Sequence, residues 1–162
     1  MLTNITEETI KFEISVISDY WDKPPIIEIA IDGIEKFSGS VTTHGLSTIK
    51  FSHTLEFNKP HQLTIKRTGK TNDQCKYNSD GTLSDQLLTI DTVVIDGVNI
   101  RNILWAYSWN EPIYPEPWAS EQRQLGVKLE DKVVAETCLG HNSTWKLNFT
   151  SPFYRFVMNW MG

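Results

Sequence analysis

The sequence predicts an all-β fold, an antiparallel β-sandwich of jelly-roll kind with long loops and at most one short helix. Three observations predict it. The dominant hydrophobic period is two. Candidate strands recur at short spacing with Gly, Pro, Asn and Asp between them. No stretch carries a convincing amphipathic-helix period. The 162 residues can bury one core without metal or disulfide staples. No second core and no repeat of fixed period divides them, so residues 1–162 read as a single domain.

Ile10, Phe12, Ile14 and Val16 alternate with Lys11, Glu13 and Ser15, a half-buried strand. Residues 19–25 form a loop carrying the aromatic pair Tyr20 and Trp21. Ile27, Ile29 and Ile31 alternate next, Asp32-Gly33 supplies a tight turn, and residues 34–41 return. Ile49, Phe51, His53, Leu55 and Phe57 alternate up to a turn at Asn58-Lys59-Pro60, after which His61, Leu63 and Ile65 begin another strand. Residues 68–86 are polar and turn-rich, and a loop of that length is more often functional or mobile than idle.

Residues 87–95 are apolar almost without pause, which predicts a central strand covered on both faces, ended by the turn dipeptide Asp96-Gly97. Residues 100–109 are the next strand candidate, and its Trp105, Tyr107 and Trp109 would share one face, either core or platform. Residues 109–118 hold Pro112, Pro115 and Pro117, which excludes a central strand or a helix interior. Residues 119–125 suit one or two helical turns before Gly126. Val127 and Leu129, then residues 133–139, suggest a hairpin. Trp145, Leu147 and Phe149 form a last strand, and residues 153–160 either close a sheet or dock on a partner.

The net charge of −5 lacks the basic footprint of a non-specific nucleic-acid binder. No apolar run approaches the roughly 20 residues that span a bilayer, so no membrane insertion is expected. Residues 1–8 have neither a basic nor a long apolar region, so no secretory leader is expected. With synthesis in a reducing compartment, Cys75 and Cys138 are expected as free thiols, and the sequons at Asn4, Asn142 and Asn148 as chance matches. His44, His53, His61 and His141 are not at zinc-ligand spacing with the cysteines. Gly69-Lys70-Thr71 ends like a phosphate-binding loop, but Thr64 stands where that pattern needs glycine. Glu111 and Glu116 lie near aromatics without forming a recognisable acid/base pair, so no catalytic residue is assigned and the protein is read as non-enzymatic.

Two groups of residues are candidates for binding. Asp73, Asp80, Asp85 and Asp91 surround the 68–86 loop. A hard cation such as Ca²⁺ wants six to eight oxygens, whereas Asp and Asn also simply cap turns. Lys76 and Leu87 stand where an EF-hand loop needs carboxylates. The aromatics Tyr20, Trp21, Trp109, Tyr114 and Trp118 could stack on sugar rings or anchor a protein interface.

Residues 29–36, 61–65 and 85–98, read in that order, resemble the calcium-dependent xylan-binding type of carbohydrate-binding module. That family has an early strand ending in an Asp-Gly turn, then a His-x-Leu-x-Ile strand. A polar loop follows, then a strand running into a second Asp-Gly. The likeness covers roughly residues 10–98. It implies a β-sandwich with calcium and sugar meeting at its loops, and places Asp73, Asp80 and Asp85 as candidate calcium ligands. Residues 99–162 depart from that pattern. Their 114–118 segment and aromatic tail look like small virion-associated proteins of tailed bacteriophages. Two functions follow from these likenesses. The leading expectation is a bacteriophage structural or adhesive protein, made in the host cytoplasm and carried in the virion. It would assemble with itself or other virion proteins through Tyr114, Trp118 and residues 153–160. The alternative is a calcium-dependent carbohydrate-binding module recognising a polysaccharide.

Overall fold

The computed structural model describes residues 4–161. Residues 1–3, part of the segment read for a leader, lie outside it. The first strands follow the period-two pattern. They are β1 (Glu7–Asp19), β2 (Ile26–Ile31), β3 (Ile34–Ser40), β4 (Gly45–Glu56) and β5 (Pro60–Thr68). A 3₁₀ turn (Asn72–Gln74) and a small ribbon of β6 (Lys76–Tyr77) and β7 (Leu83–Ser84) fill the polar segment. Then come β8 (Leu87–Ile95), β9 (Val98–Asn99), α1 (Leu104–Tyr107), β10 (Ser108–Pro112) and α2 (Trp118–Gln124). The chain ends with β11 (Val133–Val134), β12 (Cys138–Leu139), β13 (Ser143–Thr150) and α3 (Phe153–Met161).

Two antiparallel sheets face each other. One runs β12-β8-β1-β4 with β9 beside β8, and the other runs β11-β10-β13-β5-β2-β3. Their inner faces interleave alternate residues of β1, β2, β5, β8 and β13. Phe12 of the first sheet lies 6.3 Å from Phe149 of the second and stacks on Phe51 at 5.1 Å. The turn dipeptides behave as expected. Asp32 and Gly33 (φ 52° and 80°) and Asp96 and Gly97 (φ 47° and 79°) link Ile31 to Ile34 and Ile95 to Val98. Positive φ at both central residues defines the hairpin turn whose twist matches its strands.

Strand β8 is internal, but it is not covered on both faces. Leu88, Ile90, Val93 and Ile95 are buried, while Leu87, Thr89 and Val94 are only half-buried. A bulge explains why apolar residues do not simply alternate here. Ser15 pairs with Thr92 and Val16 with Ile90, so the inward phase shifts by one residue at Asp91.

The C-terminal half departs further from expectation. Residues 100–109 are not one strand. Ile100, Ile103 and Leu104 are buried at helical spacing, Leu104 N–H donates to the Ile100 carbonyl, and α1 follows. Trp105 and Tyr107 therefore sit on a helix and Trp109 on a strand, so the three share no face. Trp105 is 72% exposed, and Tyr107 packs on Phe156 at 5.0 Å. Residues 108–112 pair on both sides, with β13 and β11, despite Pro112. The exclusion of strand holds only beyond Pro112, because that proline sits at the strand's end and Pro115 and Pro117 lie past it.

The suggested 127–139 hairpin does not form. Val133 and Val134 pair with β10, whereas Cys138 and Leu139 pair with β8 in the opposite sheet. Residues 153–160 neither close a sheet nor stand out as a tail. Phe153, Phe156, Val157 and Trp160 follow helical spacing and pack α3 onto the chain's own core. Among the described residues three short helices thus stand where at most one was predicted. Glu8 Oε1 takes the first backbone N–H of α3, from Phe153, at 2.7 Å. Among the described residues no helix is long and apolar enough to cross a membrane.

Candidate functional site

One end of the sandwich carries an open cleft of about 480 Å³. It lies where the 68–86 segment, the proline-rich 113–118 segment and the 140–142 turn meet.

Arg67 lies beneath it. The inward row of β5 runs His61, Leu63, Ile65, Arg67, so alternation carries a guanidinium into the core's end. Arg67 is fully buried and bridges the sheets. It donates to the carbonyl of Leu139 at 2.6 Å and to the carbonyl and the side-chain oxygen of Gln86. Burial lowers its pKa to about 10, so it stays charged at neutral pH.

The polar segment is pinned, not loose. Gln74 and Gln86 are fully buried. Gln74 Oε1 accepts from Lys23 N at 3.1 Å, and Gln86 Nε2 donates to the Lys23 carbonyl at 2.8 Å. Lys70 and Asn142 exchange two hydrogen bonds, Lys70 N to Asn142 Oδ1 at 3.0 Å and Asn142 Nδ2 to Lys70 O at 2.9 Å. The Lys70 ammonium lies 2.7 Å from both Asp85 Oδ1 and the Gly140 carbonyl. Asn72 Nδ2 reaches the Glu116 carbonyl at 2.9 Å and ties this segment to the opposite wall.

That wall is aromatic. Trp118, the first residue of α2, lies 5.0 Å from the His141 ring and 6.1 Å from Tyr114. Tyr114 meets His141 edge-on at 5.3 Å, and its hydroxyl donates to the Glu130 carbonyl at 2.6 Å. Trp118 remains 37% exposed, and Tyr77, which also lines the cleft, is 81% exposed. The result is an apolar stacking surface flanked by Asp85, Asn142 and Glu116, an arrangement suited to a ligand with apolar faces and polar edges.

The five aromatics named from sequence are not one platform. Tyr114 and Trp118 come together here. Tyr20 stacks on His44 at 4.1 Å and donates to the Thr42 carbonyl. Trp21 donates to the Gln74 carbonyl at 2.7 Å, with the Lys76 ammonium 5.6 Å from its ring. Trp109 lies under Lys132 at 4.1 Å and donates to Glu111. Sequence reasoning missed Lys70, Tyr77, His141 and Asn142 as cleft residues. The signal for Lys70 is a basic side chain directly after Gly69 at the start of the polar loop, the same pair that ends like a phosphate-binding motif.

The three aspartates do not converge either. Asp73 accepts from the Thr71 hydroxyl, and Asp80 from the backbone N–H and hydroxyl of Thr82, at 2.9 and 2.6 Å. These hydroxyls hold both carboxyls below the usual range. Only Asp85 faces the cleft, and it is paired with Lys70. Among the described residues no group of three or more His, Cys, Asp or Glu could hold a metal ion. The donors present do not fit Ca²⁺, which wants six to eight oxygens. Glu111 is held below the usual carboxylate range by hydrogen bonds from Lys146 and Trp109, away from the near-neutral titration a general acid needs.

Burial, then Lys70 and then Arg67, hold the His141 imidazole below its ordinary 6.5, with Asp85 pulling weakly the other way. The unfolded chain therefore protonates this histidine at a pH where the folded chain keeps it neutral. Acidification below about pH 6.5 should remove stability, until the folded chain also takes up the proton. His141→Gln should flatten the fall in Tm between about pH 7 and pH 5. His53 is lowered too, through burial and Lys36, so the difference between the two proteins isolates His141. Equal steepness in both proteins would refute this.

The sequence matches no protein-family model and no curated protein. Among solved structures it is similar to vCBM60 in complex with galactobiose, at 10% identity and a TM-score of 0.48, over 85% of this chain and 98% of that one. A selenomethionine form of vCBM60 gives 9% identity and a TM-score of 0.47, over 85% and 89%. That form comes from work in which circular permutation links two families of calcium-dependent carbohydrate-binding modules. At this level of similarity the ligands of those modules do not transfer to this chain.

Proposed function

We propose that this chain is a non-catalytic saccharide-binding module, one β-sandwich over residues 1–162 with its binding site in the Trp118 cleft. The observation that carries this reading is the cleft itself. The exposed indole of Trp118, the exposed ring of Tyr77 and hydrogen-bonding groups of Asp85, Asn142 and Glu116 line one space. Sugar rings present C–H faces to an aromatic surface and hydroxyls to polar side chains, so both features are needed together.

The assembly reading has less support. It assigned the interface to Tyr114, Trp118 and residues 153–160, but Phe153 and Phe156 are spent in the chain's own core. Trp118 lines the cleft instead, and Tyr114 packs against Trp118 and His141.

The test is calorimetry with xylohexaose, cellohexaose, mannohexaose and galactobiose, alongside an array of bacterial surface glycans. Saturable binding of at least one, competed away by excess of the same sugar, is expected. No binding across the whole set would overturn the reading.

A further inference from the structure

We infer that Lys70 stands where a cation-dependent site would place its metal, so that the cleft takes its saccharide without a divalent ion. This deepens the saccharide reading and rests on it. The geometry is that of a small oxygen site already filled. A carboxylate oxygen of Asp85 and the carbonyl of Gly140 are the donor types a hard cation uses, and both lie 2.7 Å from the Lys70 ammonium. The ammonium is itself nearly buried, its side chain 13% exposed, and its backbone is fixed by the reciprocal pair with Asn142. It joins three segments that a bound ion would otherwise have to hold together: the start of the polar loop, the approach to β8 and the 140–142 turn.

Charge supports the same conclusion. The Arg67 guanidinium donates to Leu139 and Gln86, the immediate chain neighbours of Gly140 and Asp85. The floor of the cleft thus holds two cations against the single carboxylate of Asp85. A dication placed there would meet two positive charges at close range. Other carboxylates give it little, since Glu116 is engaged by the Ser120 hydroxyl and N–H, Glu121 is exposed to solvent, and Asp73 and Asp80 are used within their own turns. Both contacts made to Asp85, from Lys70 and from Gln86 N–H, fall on Oδ1. Its other oxygen is then the acceptor for a sugar hydroxyl. Lys70 is in this sense a positioning residue, aiming Asp85 and Gly140.

The test measures affinity for the best-binding oligosaccharide of the set above, in chelator and in millimolar calcium. Calcium is also titrated into the sugar-free protein. Affinities within about twofold and no saturable calcium heat are expected. Binding restored only by calcium, or a saturable calcium site that raises Tm, would overturn the inference while leaving the saccharide reading intact. If no sugar binds in either buffer the saccharide reading falls, and the calcium titration still decides whether the floor excludes the ion. The D73N/D80N double variant should bind sugar as wild type does, and a loss there would count against the inference. Lys70→Gln should weaken binding about tenfold with no rescue by calcium, while Lys70→Arg, which keeps the charge, should retain most of it. Unchanged affinity in Lys70→Gln would refute the role given to this residue. Should that variant fail to melt cooperatively, the chelator and double-variant arms carry the decision.

Discussion

Arg67→Ala should destabilise the fold by about 3–5 kcal/mol, lowering Tm by roughly 10 °C for a domain of this size. The side chain is fully buried, and its removal strips donors from the carbonyls of Leu139 and Gln86 and from the Gln86 side chain. Each buried acceptor left without a donor costs about 1–3 kcal/mol, and the vacated volume adds a cavity cost. One gain works the other way. Burial of the guanidinium is itself unfavourable, which is why its pKa drops to about 10, and alanine relieves that cost. The hydrogen bonds win because three acceptors on the opposite sheet side depend on one group. Arg67→Met, which fills much of the volume without donating, separates the contributions and should recover only the cavity part. Urea denaturation of the three proteins measures this. A loss below about 1 kcal/mol for the alanine variant would mean that water replaces the guanidinium at no cost, and that it does not brace the cleft end.

The same residue shows where a period-two reading succeeds and where it stops. Alternation located β1 to β5, and the Asp-Gly dipeptides located two hairpin turns, because both signals are local in the chain. It stopped at residue 65 of β5, since a charged residue at an inward position breaks the pattern unless its acceptors are known. Those acceptors, at residues 86 and 139, are distant in sequence. Residues 100–107 and 153–160 failed for a different reason. Ile100, Ile103 and Leu104, and Phe153, Phe156, Val157 and Trp160, carry a clear helical spacing, but over one or two turns it is too short to outweigh the surrounding strands. The fold class was therefore legible, and so was α2, expected at residues 119–125 and found at Trp118–Gln124, while α1 and α3 were legible in hindsight only and the cleft was half legible. Trp118 and Tyr114 stood out as aromatics among prolines. Lys70, His141 and Asn142 become partners only when two loops some 70 residues apart are brought together by β5 and β13 pairing along their full length.

Trp118→Ala should reduce saccharide affinity at least about 30-fold, close to 2 kcal/mol, with little change in Tm. Trp118 is the one aromatic of the cleft wall that is both fixed and available. It is held against His141 and Tyr114, while 37% of its surface stays open. Tyr114 cannot substitute for it, because its ring backs the cluster and its hydroxyl is committed to the Glu130 carbonyl. Tyr77, at 81% exposure, offers a face but is less constrained, so ordering it on a ligand costs more entropy and Tyr77→Ala should lose less affinity. Trp118→Phe keeps a smaller stacking face and should fall between wild type and alanine. Trp109→Ala makes the control, since its ring lies under Lys132 on the outer face of β10 and touches no part of the cleft. If Trp118→Ala binds as wild type does while Trp109→Ala loses binding, the saccharide site lies on the β10 face. Weakened binding in Trp118→Ala with Trp109→Ala unaffected assigns it to the cleft, because the two changes remove the same side chain from surfaces that share no residue.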